Sequence, residues 1–209
     1  MTDVAEFAHI IPPQQARSQR FLMKVLEAAE TILRRDGVEG LTMPAVAQEA
    51  GVSVGGIYRR FETKQDLLRA IKDRFLTRAE QSVADALDGR LKSLDDVVTN
   101  FIDTLLKGGP GADLFGLMVE SKTNDPSMRD RGNATASRLR DSLATALEPH
   151  RAEIAHDDPD AAIDWAVFIL ISAIMRRLRG HASPAAALSW SAMRRELARM
   201  VIAYLKTAA

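Results

Sequence analysis

Residues 42–61 read TMPAVAQEAGVSVGGIYRRF, and this stretch decides the fold. Thr42 is a favourable helix N-cap, and Pro44 falls in the first turn, where a missing N–H is harmless. Gly51 tolerates the positive φ that a tight turn needs, and Ser53 can cap a further helix directly after that turn. Two short helices joined in this way predict a helix-turn-helix.

The second of these helices has two different faces. Ile57 and Phe61 lie four residues apart and therefore share one buried side. The opposite side carries Val54, Gly55, Tyr58 and Arg59. A short helix held in this way can enter the major groove of DNA. The alternative interpretation is a plain three-helix bundle whose charged face is only solvated.

Caps and breakers along the rest of the chain predict an all-α fold of about nine helices. The first helix is expected to begin near Ala16 or Arg17 and to end at Gly37. Residues 63–66 (TKQD) form a capping box, which opens a fourth helix that runs towards Leu87. Later helices are predicted over residues 93–106, 112–123, 126–147, 160–179 and 185–206.

These elements divide into three segments. Residues 1–15 show no sustained period and are expected to form a mobile tail. Residues 16–62 are expected to form a three-helix DNA-binding domain, and residues 63–209 a helical C-terminal domain. Residues 16–72 carry ten Lys and Arg against seven Asp and Glu, whereas the whole chain has 28 of each. Because the net charge is zero, any DNA binding must come from a local patch.

The composition also excludes other classes of protein. The chain has no Cys, which removes disulfides and thiolate chemistry. The longest uncharged apolar run, residues 165–175, is shorter than the roughly 20 residues that a membrane span needs. The histidines lack the spacing of a helical zinc site, and the acidic loop 156–160 is expected to cap a helix. The sequence thus predicts a cytoplasmic protein that is not an enzyme and has no metal or cofactor.

Four segments resemble a known family when they are read together. They are VLEAA (25–29), GVEGLTM (37–43), VAQEAGVS (46–53) and GGIYRRFETKQDLL (55–68). In this order and spacing, they resemble the DNA-binding domain of the tetracycline-repressor (TetR/AcrR) family of bacterial transcriptional regulators. The rest of the chain is similar to that family only in length and in the number of helices.

The resemblance implies a set of DNA contacts. Phosphate contacts fall to Thr42, Tyr58 and Lys64, because helix N-termini and cations suit phosphate groups. Arg59 can offer two donors to guanine or bind a phosphate. The full predicted DNA-binding set is Arg17, Thr42, Ser53, Val54, Gly55, Gly56, Tyr58, Arg59 and Lys64.

The chain also departs from the family pattern at two positions of this helix. The family often has lysine where this chain has Val54, and threonine or alanine where it has Gly56. We therefore expect few direct base contacts, with Val54 against a thymine methyl group. Specificity would then depend on Arg59, Tyr58 and the shape of the DNA.

A homodimer is expected from the last part of the chain. Residues 161–175 are apolar on nearly every face, so one side can pack on its own domain while the other needs a partner. With the last helix of each chain, they would form a four-helix bundle, as the resemblance also implies. The expected interface residues are Ile169, Ala173, Met193, Leu197, Met200, Val201 and Tyr204. Burial of this helix within one monomer is the alternative.

The resemblance further implies a small-molecule pocket in the C-terminal domain. Met and aromatic side chains give adaptable apolar walls, which makes them candidates to line it. The candidates are Phe101, Leu105, Phe115, Met118, Trp165 and Phe168. Ordinary core packing is the alternative for each of them.

Together these features predict a homodimeric, ligand-responsive transcriptional repressor that a small apolar effector releases from a palindromic double-stranded operator. A two-fold dimer implies the palindrome. One alternative is a DNA-binding activator or nucleoid-associated protein that acts without an effector. Another is an enzyme or lipid carrier with a vestigial DNA-binding domain.

Overall fold

The computed structural model describes residues 13–89, 91–107, 126–178 and 188–208. All regular structure in these residues is helical, which confirms the predicted all-α class. The chain divides into two compact units, which we call the head (Met1–Ile71) and the body (Lys72–Ala209). None of the helices in the described ranges has the length and hydrophobicity of a membrane span.

The described residues contain eight α-helices and one 3-10 segment. In chain order they are α1 (Pro13–Gly40), α2 (Met43–Ala50), α3 (Val54–Tyr58), α4 (Lys64–Leu87), α5 (Leu94–Lys107), α6 (Pro126–Leu147), a 3-10 segment (Glu148–Glu153), α7 (Pro159–Leu178) and α8 (Trp190–Lys206). The helix predicted over residues 112–123 lies outside the described residues.

Most helix ends fall where caps and breakers predicted them, and two starts differ. α1 begins at Pro13, earlier than expected, because proline is well suited to a first helical position. α8 begins at Trp190 rather than at residue 185, because the Ser189 hydroxyl caps it by accepting from the backbone N–H of Ala192 at 3.1 Å.

The head is built around its helix-turn-helix. The Thr42 hydroxyl accepts from the backbone N–H of Ala45 at 3.2 Å, which caps α2 as predicted. Gly51 adopts a left-handed conformation (φ 64°, ψ 40°) and ends α2, also as predicted. The Ser53 hydroxyl accepts from the backbone N–H of Gly56 at 3.1 Å and caps α3. The predicted turn chemistry is thus confirmed.

α3 is shorter than the helix predicted up to Phe61. Regular helix ends at Tyr58, and the backbone N–H groups of Arg60 and Phe61 both bond to the carbonyl of Ile57. This closing turn brings Phe61 into the core, where it is 6% exposed, beside a fully buried Ile57. The chain then enters α4 through the predicted capping box of Thr63 and Asp66, whose side chains bond reciprocally to the two backbone N–H groups.

The body has one main hydrophobic core. It is formed by apolar residues of α4, α5, α6, α7 and α8, among them Val83, Val97, Phe101, Leu143, Leu170 and Val201. α5 and α8 pack together, as do α6 and α7. These contacts fix α7, the helix predicted to be apolar on nearly every face.

α7 divides its apolar residues between two sides. Its buried side consists of Ala162, Ile163, Ala166, Val167 and Leu170. The other side carries Trp165 and Phe168, each 58% exposed, and Ile169, which is 44% exposed. One side of α7 is therefore exposed in the single chain, in contrast to the alternative of full burial considered from the sequence.

Candidate nucleic-acid interface

The outer face of α3 is the centre of the candidate site. Ile57 and Phe61 are buried in the core of the head and hold α3 in place, and the other side chains of the helix point away from that core. Val54 is 37% exposed, Tyr58 is 49% exposed, and Arg59 is also exposed. The exposed face of this short helix therefore carries the phenol of Tyr58, the guanidinium of Arg59 and the aliphatic side chain of Val54. Such a face can fit into the major groove of DNA.

The two glycines of α3 face different surroundings. A Cβ at Gly56 would lie 3.1 Å from the Ser53 hydroxyl oxygen and 3.3 Å from two ring carbons of Phe21. A Cβ at Gly55 would meet no atom within 4 Å. The expectation that Gly56 is a groove-facing position is therefore wrong, because α3 packs on the Phe21 ring there. The outward glycine is Gly55.

The hydroxyl groups of Thr42 and Ser53 act as helix caps, and both residues are exposed. As caps, the two oxygens accept hydrogen bonds, so each hydroxyl proton can still be donated to a phosphate. The capping role was visible in the sequence. It is compatible with the phosphate contact that the resemblance implies.

The cations of the head have different environments. The Lys64 ammonium is half-buried and donates to the backbone carbonyl of Val38 at 2.6 Å, so it closes the end of α1 in addition to any contact with DNA. The Arg60 guanidinium donates to the Ser18 hydroxyl at 2.7 Å, which turns it towards α1. Arg17 and Arg59 are exposed. Sequence reasoning missed both internal contacts, because their partners lie 26 and 42 residues away.

The described pocket candidates divide between the core and the surface of the body. Phe101 is 1% exposed and belongs to the main core of the body, with Leu105 packed against that core. Trp165 and Phe168 lie at the surface of α7, where their rings make an edge-to-face contact with centroids 5.5 Å apart. Phe115 and Met118 lie outside the described residues.

The predicted interface residues fall into two groups. Met193, Leu197 and Val201 are buried in the core of the body, and Ala173 is half-buried. Ile169, Met200 and Tyr204 are exposed and lie beside Trp165 along a groove of about 340 Å³ between α7 and α8. We call the exposed residues Trp165, Phe168, Ile169, Met200 and Tyr204 the apolar face. The spacing of the apolar residues along α8 could not show which of them face the core.

A polar cluster joins α4 to α6 within the body, and sequence reasoning missed it. The Arg131 guanidinium donates to Glu80 at 2.6 Å and to the Thr77 hydroxyl at 3.0 Å. Arg138 donates to the same Glu80 carboxylate at 3.0 Å, and the Thr135 hydroxyl lies 2.6 Å from it. Burial raises the pKa of Glu80, but the hydrogen bonds and charges of these partners outweigh burial and hold the pKa below its ordinary value.

The acidic loop before α7 caps that helix, as expected. Asp158 accepts from the backbone N–H of Ala161 at 3.0 Å. Asp160 pairs with Arg140 and Arg151, and hydrogen bonding to Arg151 lowers the pKa of Asp160. In the described ranges, no three His, Asp or Glu side chains are grouped closely enough to hold a metal ion.

The capped helices α2 and α3, the turn at Gly51 and the exposed outer face of α3 together have the geometry of a helix-turn-helix. Residues 25–71 match the model of the family described as bacterial regulatory proteins, tetR family. Over these residues the chain is similar to the TetR family.

Known proteins with similar sequences are described as HTH-type transcriptional regulators. The chain is 32% identical over 91 residues to the HTH-type transcriptional regulator YfiR of Bacillus subtilis, covering 39% of this chain and 44% of YfiR. It is 30% identical over 66 residues to the HTH-type nicotine-responsive transcriptional repressor HdnoR of Paenarthrobacter nicotinovorans, covering 32% of this chain and 34% of HdnoR. These matches span less than half the length of either relative.

Solved structures share the fold over nearly the whole chain. A TetR-family transcriptional regulator from Mesorhizobium loti superposes with a TM-score of 0.70 at 20% sequence identity. The match covers 90% of this chain and 96% of that one. The relatives and the family are transcriptional regulators, which are not enzymes.

Proposed function

We propose that this protein is a homodimeric, ligand-responsive repressor that leaves a palindromic operator when a small apolar effector binds. In this proposal residues 16–62 form the DNA-binding domain, and residues 63–209 form the ligand-binding and dimerisation domain. The observation that carries the proposal is the outer face of α3, where Tyr58 and Arg59 project from a helix that Ile57 and Phe61 anchor.

The DNA contacts follow from the chemistry of that face. The Arg59 guanidinium can donate two parallel hydrogen bonds to a guanine edge or bind a phosphate, and the Tyr58 hydroxyl can donate to a phosphate. Val54 offers methyl groups, which suit the methyl group of thymine. Thr42 and Ser53 add hydroxyl donors at the starts of α2 and α3.

Selection from a random duplex library with the parent protein tests this part of the proposal. We expect one sequence to be enriched, and fluorescence anisotropy should then show that Tyr58→Ala and Arg59→Ala bind it about tenfold more weakly or worse. Arg129→Ala, which removes an exposed cation of α6, is the control and should bind like the parent. Equal binding by all three variants would refute the contact assignment.

A second copy of the chain is the proposed occupant of the apolar face. The face has an apolar centre with charged groups beside it, including the Arg140–Asp164 pair at 2.6 Å and the Arg199–Glu196 pair. Stable interfaces have this anatomy, in which a desolvated centre is surrounded by a polar rim. α7 and α8 from two chains can form a four-helix bundle around it, with the same residues on both sides.

The mass of the protein in solution tests the dimer. Sedimentation equilibrium should give twice the 22.9 kDa chain mass at micromolar concentration. The enriched duplex should then contain two inverted half-sites, because a two-fold protein reads two-fold DNA. A monomer, or a single half-site bound by one chain, would refute this part.

In this proposal the effector binds the body, and the description of one relative supports a regulator that responds to a ligand. HdnoR is described as nicotine-responsive, although the matched region covers only 34% of that protein. A ligand can release DNA only by preferring the conformation that binds DNA less well. Native mass spectrometry of the protein purified from its own cells should show a bound small molecule that denaturation releases. Its addition should weaken operator binding by roughly 5–150-fold, whereas unchanged binding would favour regulation without an effector.

A further inference from the structure

Gly55 has no explanation inside the protein, although glycine within a helix destabilises it relative to alanine. Its backbone does not require glycine, because among the described residues only Gly37 and Gly51 have positive φ. Its surroundings do not require it either, since a Cβ there would meet no protein atom within 4 Å.

The neighbouring Gly56 provides the contrast. There the missing side chain lets the Phe21 ring of α1 approach α3, and a Cβ would lie 3.3 Å from that ring and 3.1 Å from the capping hydroxyl of Ser53. The fold therefore accounts for Gly56. It leaves Gly55 unaccounted for, on the exposed side of the helix between Val54 and Tyr58.

We propose that the DNA accounts for Gly55: the backbone of α3 lies in van der Waals contact with the floor or wall of the major groove at this residue, which leaves no space for a Cβ. This inference rests on the proposed function and adds a specificity-determining position to it. A methyl group at residue 55 would hold the helix away from the groove. The contacts of Tyr58 and Arg59 would then lengthen, although neither side chain has changed.

Three alanine variants separate the DNA explanation from a structural one. Gly55→Ala should fold with a melting temperature equal to or above that of the parent. It should bind the duplex selected by the parent roughly fivefold more weakly or worse, as a lost base-edge contact does. Gly56→Ala should lower the melting temperature, because of the contacts with Phe21 and Ser53.

Gly132→Ala is the matched control. Gly132 lies within α6 of the body, and a Cβ there would also meet no atom within 4 Å. This variant should gain stability, since alanine is the better helix former, and should bind DNA like the parent. Of these two variants, only Gly55→Ala in the head should lose DNA affinity. Neither Gly55→Ala nor Gly132→Ala should lower the melting temperature.

Two results would overturn the inference. One is parental DNA affinity for Gly55→Ala while Arg59→Ala has lost affinity, which would leave the proposed DNA function intact. The other is a fall in melting temperature for Gly55→Ala as large as that for Gly56→Ala, because the fold would then explain the glycine. If the parent enriches no duplex from the library, the proposed function and this inference fail together.

Discussion

The head and the body each present a surface that their own core does not use, and the chemistry of the two surfaces is opposite. In the head, the outer face of α3 carries Tyr58, Arg59 and a bare backbone at Gly55. In the body, the apolar face carries large side chains such as Trp165 and Phe168, each 58% exposed. The first surface suits a polyanion with a groove, and the second suits another apolar surface.

The two surfaces are also positioned by different physical means. α3 is only five residues long, so caps and a left-handed glycine define it, together with two buried side chains. α7 has 20 residues and is held by burial of one whole side. Local interactions thus position the first surface, whereas the second depends on the core of the body.

The largest expected effect comes from placing a charge in the apolar face. Ile169→Asp should raise the dimer dissociation constant by roughly 100-fold or more, because burying an unpaired carboxylate costs several kcal/mol. Sedimentation equilibrium measures this directly. Met23→Asp is the matched control, since Met23 is an apolar residue of the head with the same exposure of 44% as Ile169. If both variants dissociate equally or neither does, the apolar face is not the interface.

A smaller effect is expected from the Glu80 cluster, which stabilises the body and not the outer face of α3. Glu80→Gln should lower the free energy of unfolding at neutral pH by about 1–3 kcal/mol, because hydrogen bonds to a charged group are weakened. Urea unfolding of the parent and the variant measures the difference. Glu80→Gln should bind the selected duplex like the parent under conditions in which both proteins are folded.

The same variant predicts a change in pH dependence. The pKa of Glu80 is lower in the folded protein than its ordinary value of 4.5. Its stabilising contribution is therefore complete above pH 4.5 and is lost as the pH falls through the folded pKa. Glu80→Gln should consequently lose less stability than the parent as the pH falls from 6 through the folded pKa of Glu80. Because the variant lacks this carboxylate, its acid unfolding takes up about one proton fewer. Parallel pH curves for the two proteins would contradict the assignment.

The sequence predicted the local features well, because their causes are local. The caps at Thr42 and Ser53, the turn at Gly51 and the bounds of α6 all depend on residues within one helical turn. The side of a helix that faces the core was harder to predict. α7 is apolar on both sides, so hydropathy could not show that Trp165 and Phe168 point outward.

Long-range contacts were beyond the reach of sequence patterns for a similar reason. Adjacent glycines have no side chain that marks a face, so only the Phe21 ring shows that Gly56 points inward and Gly55 outward. The Arg131–Glu80 contact spans 51 residues of sequence, and nothing near either residue indicates its partner. The pocket residues were expected from the resemblance, and the described ones are divided between core and surface.

The smallest expected effect compares one helix cap from each unit. Thr42 caps α2 in the head and Ser189 caps α8 in the body, with hydroxyl-to-N–H distances of 3.2 and 3.1 Å. Thr42→Ala and Ser189→Ala should each lower the free energy of unfolding by about 0.5–2 kcal/mol, since both remove a cap. Only Thr42→Ala should also weaken binding to the selected duplex, because its hydroxyl is proposed to donate to a phosphate. Thr42→Ser keeps the hydroxyl and should restore both properties. Equal DNA affinity for the two alanine variants would mean that Thr42 serves the fold alone. The DNA-contacting surface of the head would then be limited to α3.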